Sequence, residues 1–216
     1  MATIFFPACK VMAKYPEISV KLHEYLEVRF ENLQIAGCCK GKDALPSITS
    51  EDTVIYACTM CAMFFNDSTE AKEVISVWEI IDADTSFVFP NHRGRTMTIQ
   101  DCWRLPHETN LHNAIRNLLK KVDVEMIELE NNRDRSDFCG SFLYNSEAKK
   151  YADWSTRIAD YQHHLFQSYT EEEVIEKMRN HANLITTDEV VCYCGACRDG
   201  LIIGEKSVCH LIELVF

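Results

Sequence analysis

The chain has 216 residues, 47% hydrophobic and 25% charged, with only 7 Gly and 5 Pro, which excludes disordered, collagen-like and low-complexity classes. Its formal net charge of −11 opposes phosphate backbones, so nucleic acid is not an expected partner. The 11 cysteines are too sparse for a disulfide scaffold, odd in number and crowded in places, which points to a reducing, cytoplasmic setting with metal-bound or catalytic thiols. The opening Met1-Ala-Thr-Ile-Phe-Phe-Pro has no basic region or cleavage site of a signal peptide. No window approaches the roughly 18 apolar residues of a transmembrane segment.

Taken in chain order, the elements repeat. Residues 3–9 read as a short apolar strand delivering Cys9 at its carboxyl end. A segment of helical period follows, with Val20, Leu22, Leu26, Val28 and Phe30 as its apolar positions. A second apolar stretch from Leu33 precedes Cys38-Cys39, and a buried-type strand, Val54-Ile-Tyr-Ala, runs into Cys58-Thr-Met-Cys61. The half closes on Ile75-Ser-Val-Trp-Glu79-Ile-Ile, and the turn-rich stretch from Phe89 to Thr96 is the expected junction.

The second half runs the same course. Residues 96–102 deliver Cys102, and Ile115, Leu118, Leu119 and Val122 show helical period. An apolar stretch from Val124 precedes Phe138-Cys139-Gly140, Val190-Val-Cys-Tyr runs into Cys194-Gly-Ala-Cys197, and the chain closes on an apolar element carrying Glu213. The halves differ mainly by an insertion: 18 residues separate Cys39 from Cys58, whereas 54 separate Cys139 from Cys194. Within it, residues 146–167 show helical spacing, and Thr170 with Glu173 forms a capping box that opens another helix. Strands alternating with helices predict an α/β fold of two tandem cysteine-rich, Rossmann-like units with mainly parallel sheets. The expected units are residues 1–92 and 93–216, with a helical insertion at 145–185 in the second.

The chemistry is concentrated in two cysteine sets. The first is Cys9, Cys38, Cys39, Cys58 and Cys61. A Cys-x-x-Cys turn lets two thiolates converge on one metal or cluster, and five thiols exceed the four that a tetrahedral zinc takes. A vicinal pair also suits a multi-iron cluster, in which one sulfur can bridge two irons. The second set is Cys102, Cys139, Cys194 and Cys197, with Phe138 where the vicinal partner would stand. Four thiols suit zinc, a regular cubane cluster or an altered version of the first site. Cys192, two before Cys194 and pointing the same way along a strand, stays open as a substitute ligand although it matches no position of the first set, and Cys209 reads as a small buried hydrophobe.

A distant Cys, then Cys-Cys, then Cys-x-x-Cys, used twice in one chain, resembles the duplicated cysteine-rich (CCG) domain in the B-type subunit of heterodisulfide reductase. Relatives of that domain occur among glycolate and lactate oxidation proteins, succinate:quinone reductase subunits and uncharacterised iron–sulfur proteins. The resemblance covers nearly the whole chain. It implies a non-cubane [4Fe–4S] cluster on Cys9, Cys38, Cys39, Cys58 and Cys61, where a thiol or disulfide substrate, small molecule or protein, is reduced or oxidised. It implies a second cluster or Zn on Cys102, Cys139, Cys194 and Cys197. Lys40 follows Cys39 where the family has Gly, while Cys139-Gly140 keeps that part of the signature. With no ferredoxin-like cysteine run for cubane clusters, electrons are expected from a partner, an iron–sulfur or flavin protein. The alternative is a non-catalytic metal-binding module, holding zinc or an electron-relay cluster and acting as a subunit or scaffold.

Among other residues, Arg104, with Arg93 and Arg95, places positive charge near a cluster or a substrate carboxylate, or else forms surface ion pairs. His107, His112, His163 and His164 are candidate proton donors, with a solvated helix face the plainer reading of His163-His164. His210 reads as a structural hydrogen-bonding residue. Arg198-Asp199 after Cys197 suggests a polar surrounding for the second Cys-x-x-Cys. Met60, Met63, Phe64 and Phe65 suggest an apolar one for the first. No phosphate-binding, dinucleotide or hydrolase motif occurs in the sequence.

Overall fold

The β-branched and aromatic runs form parallel strands in the computed structural model, which describes residues 1–37, 47–161 and 167–216. In the first half these are β1 (Thr3–Phe6), β2 (Leu33–Ile35), β3 (Thr53–Tyr56) and β4 (Glu73–Ser76), in spatial order β2-β1-β3-β4. In the second they are β5 (Arg95–Gln100), β6 (Val124–Glu128), β7 (Glu189–Cys192) and β8 (Ser207–His210), in order β6-β5-β7-β8. The protein is therefore α/β, with two four-stranded, all-parallel sheets of identical topology. The central strands carry unbroken buried runs, as strands covered on both faces must, while the edge strands β2 and β6 are largely exposed.

Helices α1 (Cys9–Lys14), α2 (Pro16–Glu27), α3 (Thr59–Ser68) and α4 (Val77–Ala83) belong to the first half. The second has α5 (Thr109–Lys121), α6 (Thr156–Tyr161), α7 (Glu171–Ala182), α8 (Gly195–Ile203) and α9 (Leu211–Val215). The acids of the two closing elements have matching jobs. Glu79 and Glu213 each complete a capping box, with Ser76 opening α4 and His210 opening α9. The expected Thr170–Glu173 box opens α7.

Two expectations need correction. Val20 and Val28 are exposed, and α2 instead buries Leu22, Tyr25 and Leu26; positions two apart cannot share a helix face, so Leu22 and Val20 compete and Leu22 wins. Residues 146–167 are not one regular helix. A 3₁₀ stretch spans Ser146–Trp154, and extended Ser155 separates it from α6. The Ser155 hydroxyl donates to Asp67 (2.7 Å) and accepts from the Arg157 N–H (3.2 Å), capping a new helix rather than continuing the old one. His163 and His164 lie outside the described residues.

The halves share one continuous apolar core. α4 packs along α5, pinned by Lys121 Nζ to Asp82 Oδ1 (2.7 Å), and Tyr15 donates to Glu213 (2.7 Å). Among the described residues no helix is long and apolar enough to cross a membrane.

Candidate metal centre and cleft

Each sheet has a point where the chain leaves one central strand toward one edge and the other central strand toward the opposite edge. These points lie between β1 and β3 and between β5 and β7. Connections that diverge there leave a crevice beyond the strand carboxyl ends, where α/β folds place their ligands. The cysteines follow those four strands: Cys9 after β1, Cys58 after β3, Cys102 after β5 and Cys194 after β7. Cys58 and Cys194 are the N-cap residues of α3 and α8, so each Cys-x-x-Cys opens a helix with its thiols beside the amide-rich end.

In the second half the set closes completely. The Sγ atoms of Cys102, Cys139, Cys194 and Cys197 all lie within 4.8 Å of one another, and all four residues are buried. Among the described residues this is the one group of three or more Cys, His, Asp or Glu ligands that converges so tightly. The four thiols can hold a metal. Cys102 and Cys139 are 3.6 Å apart at sulfur, and Cys197 donates to the Phe138 carbonyl (3.6 Å).

A buried polar network sets this geometry. The Asp101 carboxylate, fully buried in its side chain, pairs with Arg116 (2.5 Å) and accepts from the Arg133 N–H (2.8 Å) and the Tyr193 hydroxyl (3.0 Å). Ser136 donates to the Asp101 carbonyl (2.8 Å), and the Trp103 N–H bonds the Phe138 carbonyl (3.0 Å). The turns carrying Cys102 and Cys139 are thereby tied to each other and to the segment before Cys194. Burial alone would raise the Asp101 pKa; the Arg116 hydrogen bonds and charge outweigh it and hold the carboxyl low.

Phe138, standing where a fifth ligand would be, is buried and stacked on His181 with ring centroids 3.7 Å apart. It fills core space and leaves ligation to its neighbour. Gly140 sits at φ +58°, and a Cβ there would lie 3.0 Å from the Ala196 carbonyl carbon and 3.2 Å from the Gly200 nitrogen. Only glycine lets the Cys139 turn reach α8 so closely.

The thiols are electrostatically unequal. Cys194 is held well below the ordinary thiol range by hydrogen bonds from Cys102, Cys139 and Cys197, with Arg104 assisting. Burial pushes Cys139 and Cys197 well above it. One thiolate forms readily beside buried neutral thiols, and metal binding would release the protons those thiols hold.

The first set presents differently. Cys9 is exposed at the start of α1, Cys58 is half-buried and Cys61 buried, while Cys38 and Cys39 lie outside the described residues. Cys58 is lowered to about 6, chiefly by the hydrogen bond from Cys61, with Arg104 nearby adding to it. These three line a cleft of about 240 Å³ whose other wall, with Arg104, Phe142, Tyr193, Gly195 and Ala196, comes from the second half. Lys10 and Asp199 pair across its rim at 3.1 Å.

The apolar surrounding expected for the first Cys-x-x-Cys is present, with Met60, Met63 and Phe65 in the core, whereas the polar, exposed setting expected for the second is not. The second Cys-x-x-Cys, despite Arg198-Asp199, is the fully buried one; the first faces a cleft. Arg104 does stand beside a cysteine set, whereas Arg95 pairs with Glu189 (2.6 Å) and Arg93 is exposed. His107 is exposed, His112 is buried, and the buried His210 accepts the Ile212 N–H at Nδ1 (3.3 Å). Cys192 points its sulfur toward the Cys194 carbonyl (3.7 Å) and stands outside the four-thiol group, as does half-buried Cys209 on β8. Thr59, Tyr193 and Phe142 escaped sequence reasoning, because nothing local marks a contact made with a distant part of the chain.

Comparison with family models, with curated proteins and with solved structures finds no match. The geometry stands on its own.

Proposed function

We propose that the chain is a two-centre cysteine metalloprotein of thiol–disulfide redox type. In this reading Cys102, Cys139, Cys194 and Cys197 hold one divalent ion, zinc. Cys9, Cys38, Cys39, Cys58 and Cys61 hold an iron–sulfur cluster facing the cleft. The observation that carries the first part is the mutual spacing of the four sulfurs, all within 4.8 Å. Tetrahedral ligation at a metal–sulfur distance of about 2.3 Å needs sulfurs about 3.8 Å apart. A cube of four irons sets each thiolate on a different iron and spreads them wider. The donor set, all thiol and fully buried, is that of a closed structural zinc site.

The second part is supported by the five-cysteine pattern, its resemblance to the heterodisulfide reductase domain, and the placement of three of those cysteines along a cleft. A cluster held by these cysteines would supply single-electron chemistry for a disulfide bound in the cleft. The chain's own residues shape that encounter: Phe142, Val11 and Ala196 give the cleft an apolar wall, and Lys10 and Asp199 bracket the entrance. Reduction of a disulfide consumes two electrons and two protons and releases two thiols. The electrons would come from an iron–sulfur or flavin partner, since the sequence holds no ferredoxin-like cysteine run for cubane clusters.

Anaerobic purification with iron, sulfide and zinc analysis and EPR tests this. One zinc and one cluster per chain are expected, with Cys58→Ser losing iron and keeping zinc. Absence of all metal after anaerobic reconstitution would overturn it. A second reading is favoured by one observation: the described cysteines of the first set do not converge as the tetrad does. Stoichiometric zinc without iron, under the same anaerobic conditions, would select that reading, a zinc-stabilised scaffold.

A further inference from the structure

Four thiolates on a divalent ion leave two negative charges in a site shielded from water, and such charge needs a fixed counter-charge nearby. Arg104 is buried at 6% exposure, and among the described residues its Nε has no hydrogen-bond partner and no carboxylate lies within ion-pair distance of it. A guanidinium does not deprotonate in a protein. Nη1 lies 3.5 Å from Cys194 Sγ and 3.5 Å from Thr59 Oγ1, and the guanidinium stacks over Phe142 at 4.1 Å.

Thr59 belongs to the other half. It is the residue between Cys58 and Met60 in the first Cys-x-x-Cys, is itself buried, and donates to Cys194 Sγ at 3.2 Å, with Cys102 Sγ 3.7 Å away. The hydroxyl has one proton to give and lone pairs to receive, so Arg104 Nη1–H to Thr59 and Thr59 O–H to Cys194 form a consistent relay. The surroundings of the second metal site are therefore completed by the first cysteine motif.

We propose that Arg104 and Thr59 are positioning residues of the tetrad, and that metal loading there locks α3, with the cleft-facing Cys58 and Cys61 at its start, against the second half. This rests on the tetrad holding a metal. Because such coupling is reciprocal, whatever holds the first motif in place also tightens the metal.

Cobalt(II) is the probe, titrated into the full-length chain under anaerobic conditions against a competing chelator, with Thr59→Val, Thr59→Ser, Arg104→Gln and wild type compared. Removing an outer hydrogen-bonding partner of a metal ligand weakens binding about 10- to 100-fold. Thr59→Val and Arg104→Gln are expected in that range, and Thr59→Ser, which keeps the hydroxyl, close to wild type. Loss of a hydrogen bond to Cys194 also raises the energy of its sulfur electrons. The thiolate-to-cobalt charge-transfer band should therefore move to longer wavelength in Thr59→Val, a shift that packing alone would not produce. Amide exchange across α3 should slow on loading in wild type and not in Thr59→Val. Should Arg104→Gln fail to fold, the Thr59 pair carries the test. Wild-type affinity and an unmoved band in Thr59→Val overturn this inference and leave the metal tetrad standing. Absence of a cobalt–thiolate band in wild type overturns the tetrad itself.

Discussion

Replacing Gly140 by Ala isolates how the metal centre depends on one close approach. Two penalties apply. The backbone sits at φ +58°, where a residue with a Cβ loses about 1–2 kcal/mol. The new carbon also meets α8: it would lie 3.0 Å from the Ala196 carbonyl carbon, 3.2 Å from the Gly200 nitrogen and closer still to the Ala196 oxygen. Ordinary contact needs about 3.5–4.0 Å, so the two backbones must part by roughly 1 Å. Cys139 precedes Gly140 and Cys197 follows Ala196, so the displacement enters the tetrad directly, whereas metal–sulfur distances tolerate only about 0.2 Å. Cobalt titration should show affinity reduced about 100-fold or more. Gly94→Ala is the control. That residue has φ +70° with nothing within 4 Å of an added Cβ, so it bears the backbone cost of about 1–2 kcal/mol alone and should bind cobalt like wild type. If the two variants bind metal equally well, the contact argument is wrong.

Three further outcomes follow from the same geometry. Serine in place of Cys102, Cys139, Cys194 or Cys197 should each remove the tetrahedral cobalt spectrum, while Cys192→Ser and Cys209→Ser should keep it; a persistent spectrum in any of the first four would exclude that residue as a ligand. Arg116→Met strands the buried Asp101 carboxylate and should cost about 3–5 kcal/mol in urea unfolding, and a loss below about 1 kcal/mol would show that Arg133 and Tyr193 suffice. Burial lowers the His210 pKa to about 4, so between that value and the ordinary 6.5 or so the unfolded chain binds a proton that the folded chain refuses. This contribution to stability is present above about pH 6.5 and is lost as pH falls toward 4, about 2 kcal/mol of it between pH 7 and pH 5. His210→Ser, which installs the cap used at Ser76, should flatten the pH profile by that amount; coincident slopes would refute the assignment.

How much of this the chain announces locally can be followed residue by residue. The parallel α/β class came from apolar runs alternating with helical periods, because strand and helix faces imprint their own spacing on a sequence. The Thr170–Glu173 cap was readable for the same reason, its partners lying three residues apart. The duplication was visible because both halves place cysteines after corresponding strands, and the topology confirms that those strands flank the crevices. Val20 and Val28 misled because hydrophobicity does not say which face a helix turns inward.

The sequence by itself determined the α/β class, the twofold repetition, and the residues that could bind metal. Only the tertiary structure decided which of them meet. Cys102, Cys139, Cys194 and Cys197 converge because Asp101 and Arg116 bind their turns together and Gly140 admits a backbone contact no other residue would allow. The second motif proved to be the fully buried one, although Arg198-Asp199 after it suggested a polar setting, while the first opens on a cleft from within its apolar surroundings. Thr59 reaches Cys194 across 135 positions of chain. Hydrogen bonds and packing of that kind depend on distances in the folded chain, and residue order carries no record of them.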